Sequence, residues 1–157
     1  HQVLPLAEHF RNTPHILRYI EFMDVGNCNQ WSRSEVYTAR EILADIEGRH
    51  AVEPIGANYV GEVARRYRYQ DGAGEFGIIG SVSQPFCRDC NRARLSADGK
   101  LYTCLFASEG ADLRALLRSG GDVQDRLWTI WSGREDRYSE LRGLEPAQKV
   151  EMSYIGG

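Results

Sequence analysis

Lysine is nearly absent from this chain of 157 residues: only Lys100 and Lys149 occur among 19 basic residues, the other 17 being arginine. Such an excess accompanies phosphate recognition, because a planar guanidinium grips an oxyanion through two donors, but it also follows from genomic base composition. Individual arginines therefore carry the argument, not their number. The formal net charge of −3 excludes general nucleic-acid binding, which needs a strongly basic surface. No apolar run approaches the roughly 20 residues of a membrane-spanning helix, and residues 1–15 lack the basic start and apolar core of a signal peptide. Four cysteines, three of them within residues 87–104, are too few and too clustered for a secreted disulfide framework. These absences predict a soluble intracellular protein with no membrane and no nucleic acid among its partners. At 42% hydrophobic residues, it has enough apolar mass to build a core.

The cysteine-rich stretch FCRDCNRARLSADGKLYTCLF, residues 86–106, organises the rest. Cys87 and Cys90 form a CxxC, and Cys104 follows after thirteen residues that contain an Asp98-Gly99 turn signal. Two thiolates at i and i+3 clasp one metal centre from a tight loop, and a hairpin returns a third. Structural zinc is closed and four-coordinate, so three cysteines without an evident fourth ligand point toward a centre with one open position. Spacing alone leaves alternatives open: a zinc knuckle completed by Cys28 or a histidine, or a redox pair with a separate thiol. Arg88, Arg92 and Arg94 crowd the stretch. On a strand, Arg92 and Arg94 share one face, which suits phosphate or a purine's acceptor edge, or else is simply solvated.

Elsewhere the periodicity predicts mixed α/β structure. Val3, Leu6 and Phe10 have helical spacing and stop before Pro14. Residues 16–23 form a mostly apolar run that reads as a strand buried on both faces, with Arg18 in need of a partner such as Glu21 or a bound phosphate. Thr38 and Glu41 form a capping box that opens a helix over 39–47, with Gly48 as its stop. Residues 59–69 and 76–83 alternate as strands across the turn-rich 71–74, and Arg65, Arg66 and Arg68 give the first of them the look of a basic edge strand. Gly77 and Gly80 mark bulges or close approaches. Helices are expected over 112–118, with Leu113, Leu116 and Leu117 inward, and over 122–131, with Val123, Leu127, Ile130 and Trp131 inward. Residues 133–142 read as a solvated connector.

Three segments in order, Arg18-Tyr-Ile-Glu-Phe-Met23-Asp-Val-Gly-Asn27, the cysteine stretch with its NRxR and ADGKL, and the terminal Ile155-Gly156-Gly157, closely resemble the GTP 3′,8-cyclase family, radical-SAM lyases that open molybdenum cofactor biosynthesis. The resemblance spans essentially the whole chain. It implies the C-terminal part of an incomplete (β/α) radical-SAM barrel followed by an α+β region with antiparallel strands. Residues 1–50 would supply the last barrel strand and helix, and 51–157 the auxiliary-cluster and substrate region. It further implies a three-cysteine [4Fe-4S] cluster on Cys87, Cys90 and Cys104, with Arg18, Arg92, Ala93 and Arg94 around GTP and Arg92 and Arg94 acting in the reaction. Met23 would lie against S-adenosyl-L-methionine, and Gly156 and Gly157 would form an active-site tail.

The reaction implied is conversion of GTP to 3′,8-cyclo-7,8-dihydro-GTP by a deoxyadenosyl radical generated at a second [4Fe-4S] cluster. The CxxxCxxC that would hold that cluster is absent, and the sequence starts at His1. We therefore read the chain as the C-terminal half of a longer protein, inactive toward SAM by itself. Its expected partners are the N-terminal half, a second copy in a homodimer and, downstream, cyclic pyranopterin monophosphate synthase. Its expected location is the cytoplasm, or the mitochondrion in a eukaryote. The remaining readings are a zinc-stabilised binding module and the auxiliary-cluster region of another radical-SAM enzyme. Cluster and arginines must share one substrate, which selects a three-residue hairpin loop, Ala97-Asp98-Gly99, with Ser96 opposite Lys100 and Gly99 at positive φ.

Overall fold

A computed structural model describes residues 2–142 and 149–155. The chain forms two compact units, crossing from the first to the second at Asp24, returning at Trp31, and crossing again after Cys90. Both mix helix and sheet.

The first unit is a four-stranded mixed sheet under two helices. Helix α1 spans Val3–Phe10, strand β1 Leu17–Ile20, helix α2 Ala39–Glu47, and strands β2, β3 and β4 span Val52–Ile55, Arg65–Tyr69 and Glu75–Ile79. The order is β1-β4-β3-β2, with β1 parallel to β4 and the other pairs antiparallel. Val3, Tyr19, Ile42, Ile46, Tyr69, Phe76 and Ile78 make the core. The Thr38 hydroxyl accepts from the Glu41 amide and the Glu41 carboxylate accepts from the Thr38 amide, the reciprocal cap the sequence predicts.

Three expectations are corrected here. Strand β1 ends at Ile20 and buries one face, Tyr19, while Ile20 is 56% exposed, because β1 is the sheet's outer strand and the core lies on one side of it. Strand β3 is interior, not an edge: β2, which carries Pro54, takes the outer place that a strand proline tolerates. Arg66 is accordingly no solvated side chain, since its guanidinium donates to both Glu75 carboxylate oxygens at 2.8 and 2.6 Å.

In the second unit, β5 (Arg94–Leu95), β6 (Lys100–Tyr102) and β7 (Ala111–Asp112) form an antiparallel sheet in that order. Leu95 pairs with Leu101 and Arg94 with Tyr102, and the Ser96 amide donates to the Lys100 carbonyl at 2.9 Å. The loop is thus the three-residue one, with Gly99 at φ +83°. A Cβ at Gly99 would lie 2.6 Å from Arg114 Cβ, so Gly99→Ala combines left-handed strain with a clash. The expected loss is about 1–3 kcal/mol, read from urea unfolding; an unchanged midpoint would mean the loop adapts freely.

Helices α3 (Leu113–Arg118) and α4 (Val123–Ser132) are each opened by an aspartate, whose carboxylate accepts from Ala115 or Asp125. Their apolar stripes are only partly covered: Leu113, Leu116, Val123 and Ile130 are half-buried as expected, whereas Leu117, Leu127 and Trp131 are exposed, and Trp128 is 73% exposed. Periodicity identifies an apolar face but not what covers it. Residues 133–142 are not a solvated connector either. They hold α5 (Tyr138–Leu141), and the Arg142 side chain is only 7% exposed.

Candidate functional site

The CxxC folds as one 3₁₀ turn over Cys87–Asp89, closed by the Cys90 amide on the Cys87 carbonyl at 3.3 Å. The two cysteines thus bracket one turn, Cys87 at its start and Cys90 at its extended cap. Cys87 and Cys90 belong to the first unit and Cys104 to the second. None of the three is in a disulfide, and all are half-buried. Among the described residues, no three His, Cys, Asp or Glu side chains converge as a ready-made metal site. The donor chemistry nevertheless fits an iron–sulfur centre: three unoxidised, partly shielded thiols, two of them on one turn. Cys104 lines a cavity of about 400 Å³ in the second unit together with Ser108, Glu135, Asp136, Arg137 and Tyr138. Cys28 is exposed and its Sγ lies 3.5 Å from Glu151 Oε1, the hydrogen bond to that carboxylate pushing its thiol up.

Arg94 sits on β5 directly opposite buried Tyr102, while Arg92 and Ala93 precede the strand and are exposed. Arg18 packs its stem over Gly77, its ladder neighbour, where an added Cβ would come within 3.4 Å of Arg18 Cγ. Its guanidinium lies 3.3 Å from Glu62, so the carboxylate partner is not Glu21. Met23 stands past the ladder, whose last bond runs from the Glu21 amide to Ile79. Gly156 and Gly157 lie outside the described residues.

Two carboxylates prove central to their units, Asp24, which the sequence did not single out, and Glu21, which it offered only as a partner for Arg18. Glu21 is 2% exposed and accepts from the amides of Ala39 (2.6 Å), Val82 (2.7 Å) and Ser83 (2.8 Å) and from the Ser83 hydroxyl. Burial pushes its carboxyl up, but these donors together outweigh that and hold it below the usual carboxylate range. In the second unit, Asp24 takes Tyr138 Oη and Lys149 Nζ at 2.6 Å each, and Arg142 stands 3.0 Å away. Beside it, the Asn27 amide donates to Glu151 at 2.7 Å and the Asn27 side chain to the Lys149 carbonyl at 2.5 Å. The Arg18–Asn27 motif therefore anchors distant parts of the chain through Glu21, Asp24 and Asn27. No local signal reveals this, because the partners lie up to 125 residues away.

Residues 15–140 match the family described as Molybdenum Cofactor Synthesis C. The chain is 54% identical to the GTP 3′,8-cyclase of Xanthomonas axonopodis pv. citri, over 99% of this chain and 48% of that protein. It is 46% identical to the one of Acidothermus cellulolyticus (97% and 50%) and 44% identical to one from Staphylococcus epidermidis (99% and 48%). It thus spans about half the length of these curated relatives. No helix among the described residues is long and apolar enough to cross a membrane.

Proposed function

Because the chain belongs to the Molybdenum Cofactor Synthesis C family, we propose that it is the GTP-binding part of a GTP 3′,8-cyclase, working with radical-SAM machinery in the half of the relatives' length that it does not span. Cys87, Cys90 and Cys104 would hold an auxiliary [4Fe-4S] cluster, which would supply a Lewis-acidic iron for the guanine. Arg92 and Arg94 fix the nucleotide through charge-assisted bonds, and Arg18 exchanges Glu62 for phosphate. Met23, which lies past the end of the ladder, meets S-adenosyl-L-methionine through its backbone, and Gly156 and Gly157 close the site. Strand β1 is the last strand of the incomplete barrel, a reading supported by its open edge and by the exposed Ile16, Ile20 and Phe22. This division of labour leaves the radical chemistry to the cofactors and gives the chain orientation and charge.

The observation that carries the reading is the union of three cysteines outside any disulfide with a hairpin register that brings Arg94 opposite Tyr102, in a chain 54% identical to a GTP 3′,8-cyclase. In the anaerobically reconstituted chain, Arg92→Ala and Arg94→Ala are each expected to weaken GTP binding about 10–100-fold, since a charge-assisted contact is worth roughly 1.5–3 kcal/mol. Iron content should not change. Loss of iron in either variant would make the arginines structural, and a colourless wild-type chain carrying zinc would replace the cluster with a zinc-stabilised module.

A further inference from the structure

We infer that Glu21 is a positioning residue for the Cys87/Cys90 pair: its buried carboxylate fixes the turn at Ser81–Ser83, from which the cysteine-bearing segment departs. The consequence for metal binding rests on the reading above, but the geometry does not. Strand β4 ends at Ile79, and the chain then turns back with the Gln84 amide on the Gly80 carbonyl at 2.9 Å. Ser81 and Val82 are buried in that turn. Glu21 Oε2 takes both the Val82 and Ser83 amides, and Oε1 takes the Ser83 hydroxyl as well as the Ala39 amide. Only three residues separate Ser83 from Cys87.

Helix capping does not explain the carboxylate. Helix α2 already has the complete reciprocal cap of Thr38 and Glu41, so the Ala39 bond is an addition to a satisfied terminus. Three of the four donors that meet Glu21 come from residues 82 and 83. An ionised carboxylate offers acceptor capacity on both oxygens, whereas a carboxamide offers it on one and turns a donor toward donors on the other. The position therefore calls for a carboxylate, and what the carboxylate holds is the departure point of the cysteine turn. Glu21 also stands two residues before Met23, so the same side chain ties the end of β1 to the start of the cysteine segment.

The test uses the full chain with Glu21→Leu, Glu21→Gln and, as a control on helix stability alone, Thr38→Ala. Amide hydrogen exchange is followed in the apo chain, and iron content and the EPR spectrum of the reduced cluster after anaerobic reconstitution. Glu21→Leu is expected to speed exchange across 82–90 by about tenfold or more while β3 and β4 change little, to cut retained iron severalfold and to broaden the EPR signal. Glu21→Gln should move the same readouts in the same direction by less, and it carries the test if the leucine variant does not fold. Thr38→Ala should speed exchange at the start of α2 and leave 82–90 and the cluster signal as in the wild type. Unchanged exchange across 82–90 in a folded Glu21 variant overturns the proposal. So does faster exchange with unaltered iron and EPR spectrum. A wild-type chain that retains no iron overturns the functional reading instead, and exchange alone then decides whether Glu21 fixes the segment.

Discussion

Asp24→Ala is expected to cost about 3–5 kcal/mol of stability, because it strips the anion from a buried cluster and leaves its cations behind. Asp24 is 5% exposed, and the Arg142 and Lys149 side chains that face it are 7% and 13% exposed. Lys149 Nζ also donates to the Asp24 carbonyl at 2.5 Å, a bond the variant keeps, but one neutral acceptor does not balance two cations. Phe106 and Tyr138, stacked at 4.4 Å, wall the cluster in, with Lys149 Nζ 5.1 Å from the Tyr138 ring. The rings restrict the water that would otherwise solvate freed charges. Urea unfolding followed by circular dichroism checks the value; a loss below about 1 kcal/mol, the range of exposed ion pairs, would mean that water reaches the site.

The pH dependence adds a second readout. Burial raises the Asp24 carboxyl, while Lys149, Tyr138 and Arg142 lower it, and the net result lies below the usual value. A group depressed in the folded state stabilises the fold above its unfolded pKa, about 3.9 for aspartate, and that contribution disappears as pH falls through the folded value. Wild-type stability should therefore fall between about pH 4 and the folded pKa by more than that of Asp24→Ala.

Cys104→Ser should reduce the iron retained after anaerobic reconstitution from about four atoms per chain to less than roughly a tenth of that, with Cys87→Ser and Cys90→Ser alike. Serine keeps the size and the polar atom, but its hydroxyl does not ionise near neutral pH as a thiol does, so it makes a poor ligand for iron. Cys28→Ser is the internal control. Its thiol is exposed, bound to Glu151 and outside the proposed ligand set, so iron should stay at the wild-type level. Full iron in Cys104→Ser, or loss in Cys28→Ser, would reassign the donor set.

What the sequence determined by itself is what neighbours along the chain decide. Thr38 and Glu41 are three residues apart, as are the aspartates of α3 and α4 and the amides they cap, so the reciprocal cap and helix starts were legible from composition and spacing. The Gly99 loop was legible because one left-handed glycine fixes a three-residue hairpin and with it the pairing of Leu95 with Leu101. The cysteine turn and the family resemblance likewise lie in short, contiguous strings.

Tertiary structure alone decided which faces are covered and which carboxylates are spoken for. Strand β2 escaped notice because a four-residue strand with a proline has little pattern of its own and exists through its pairing with β3. The stripe on α4 is apolar as its spacing predicts, yet only Val123 and Ile130 are half-buried while Leu127 and Trp131 stay exposed, since burial is a property of two surfaces and the sequence of one helix describes only its own. Glu21 and Asp24 sit in a motif that reads as a binding strand. Their partners at Val82, Ser83, Tyr138 and Lys149 arrive from 61 to 125 residues away, and only closure of the chain brings those donors within reach of the two carboxylates.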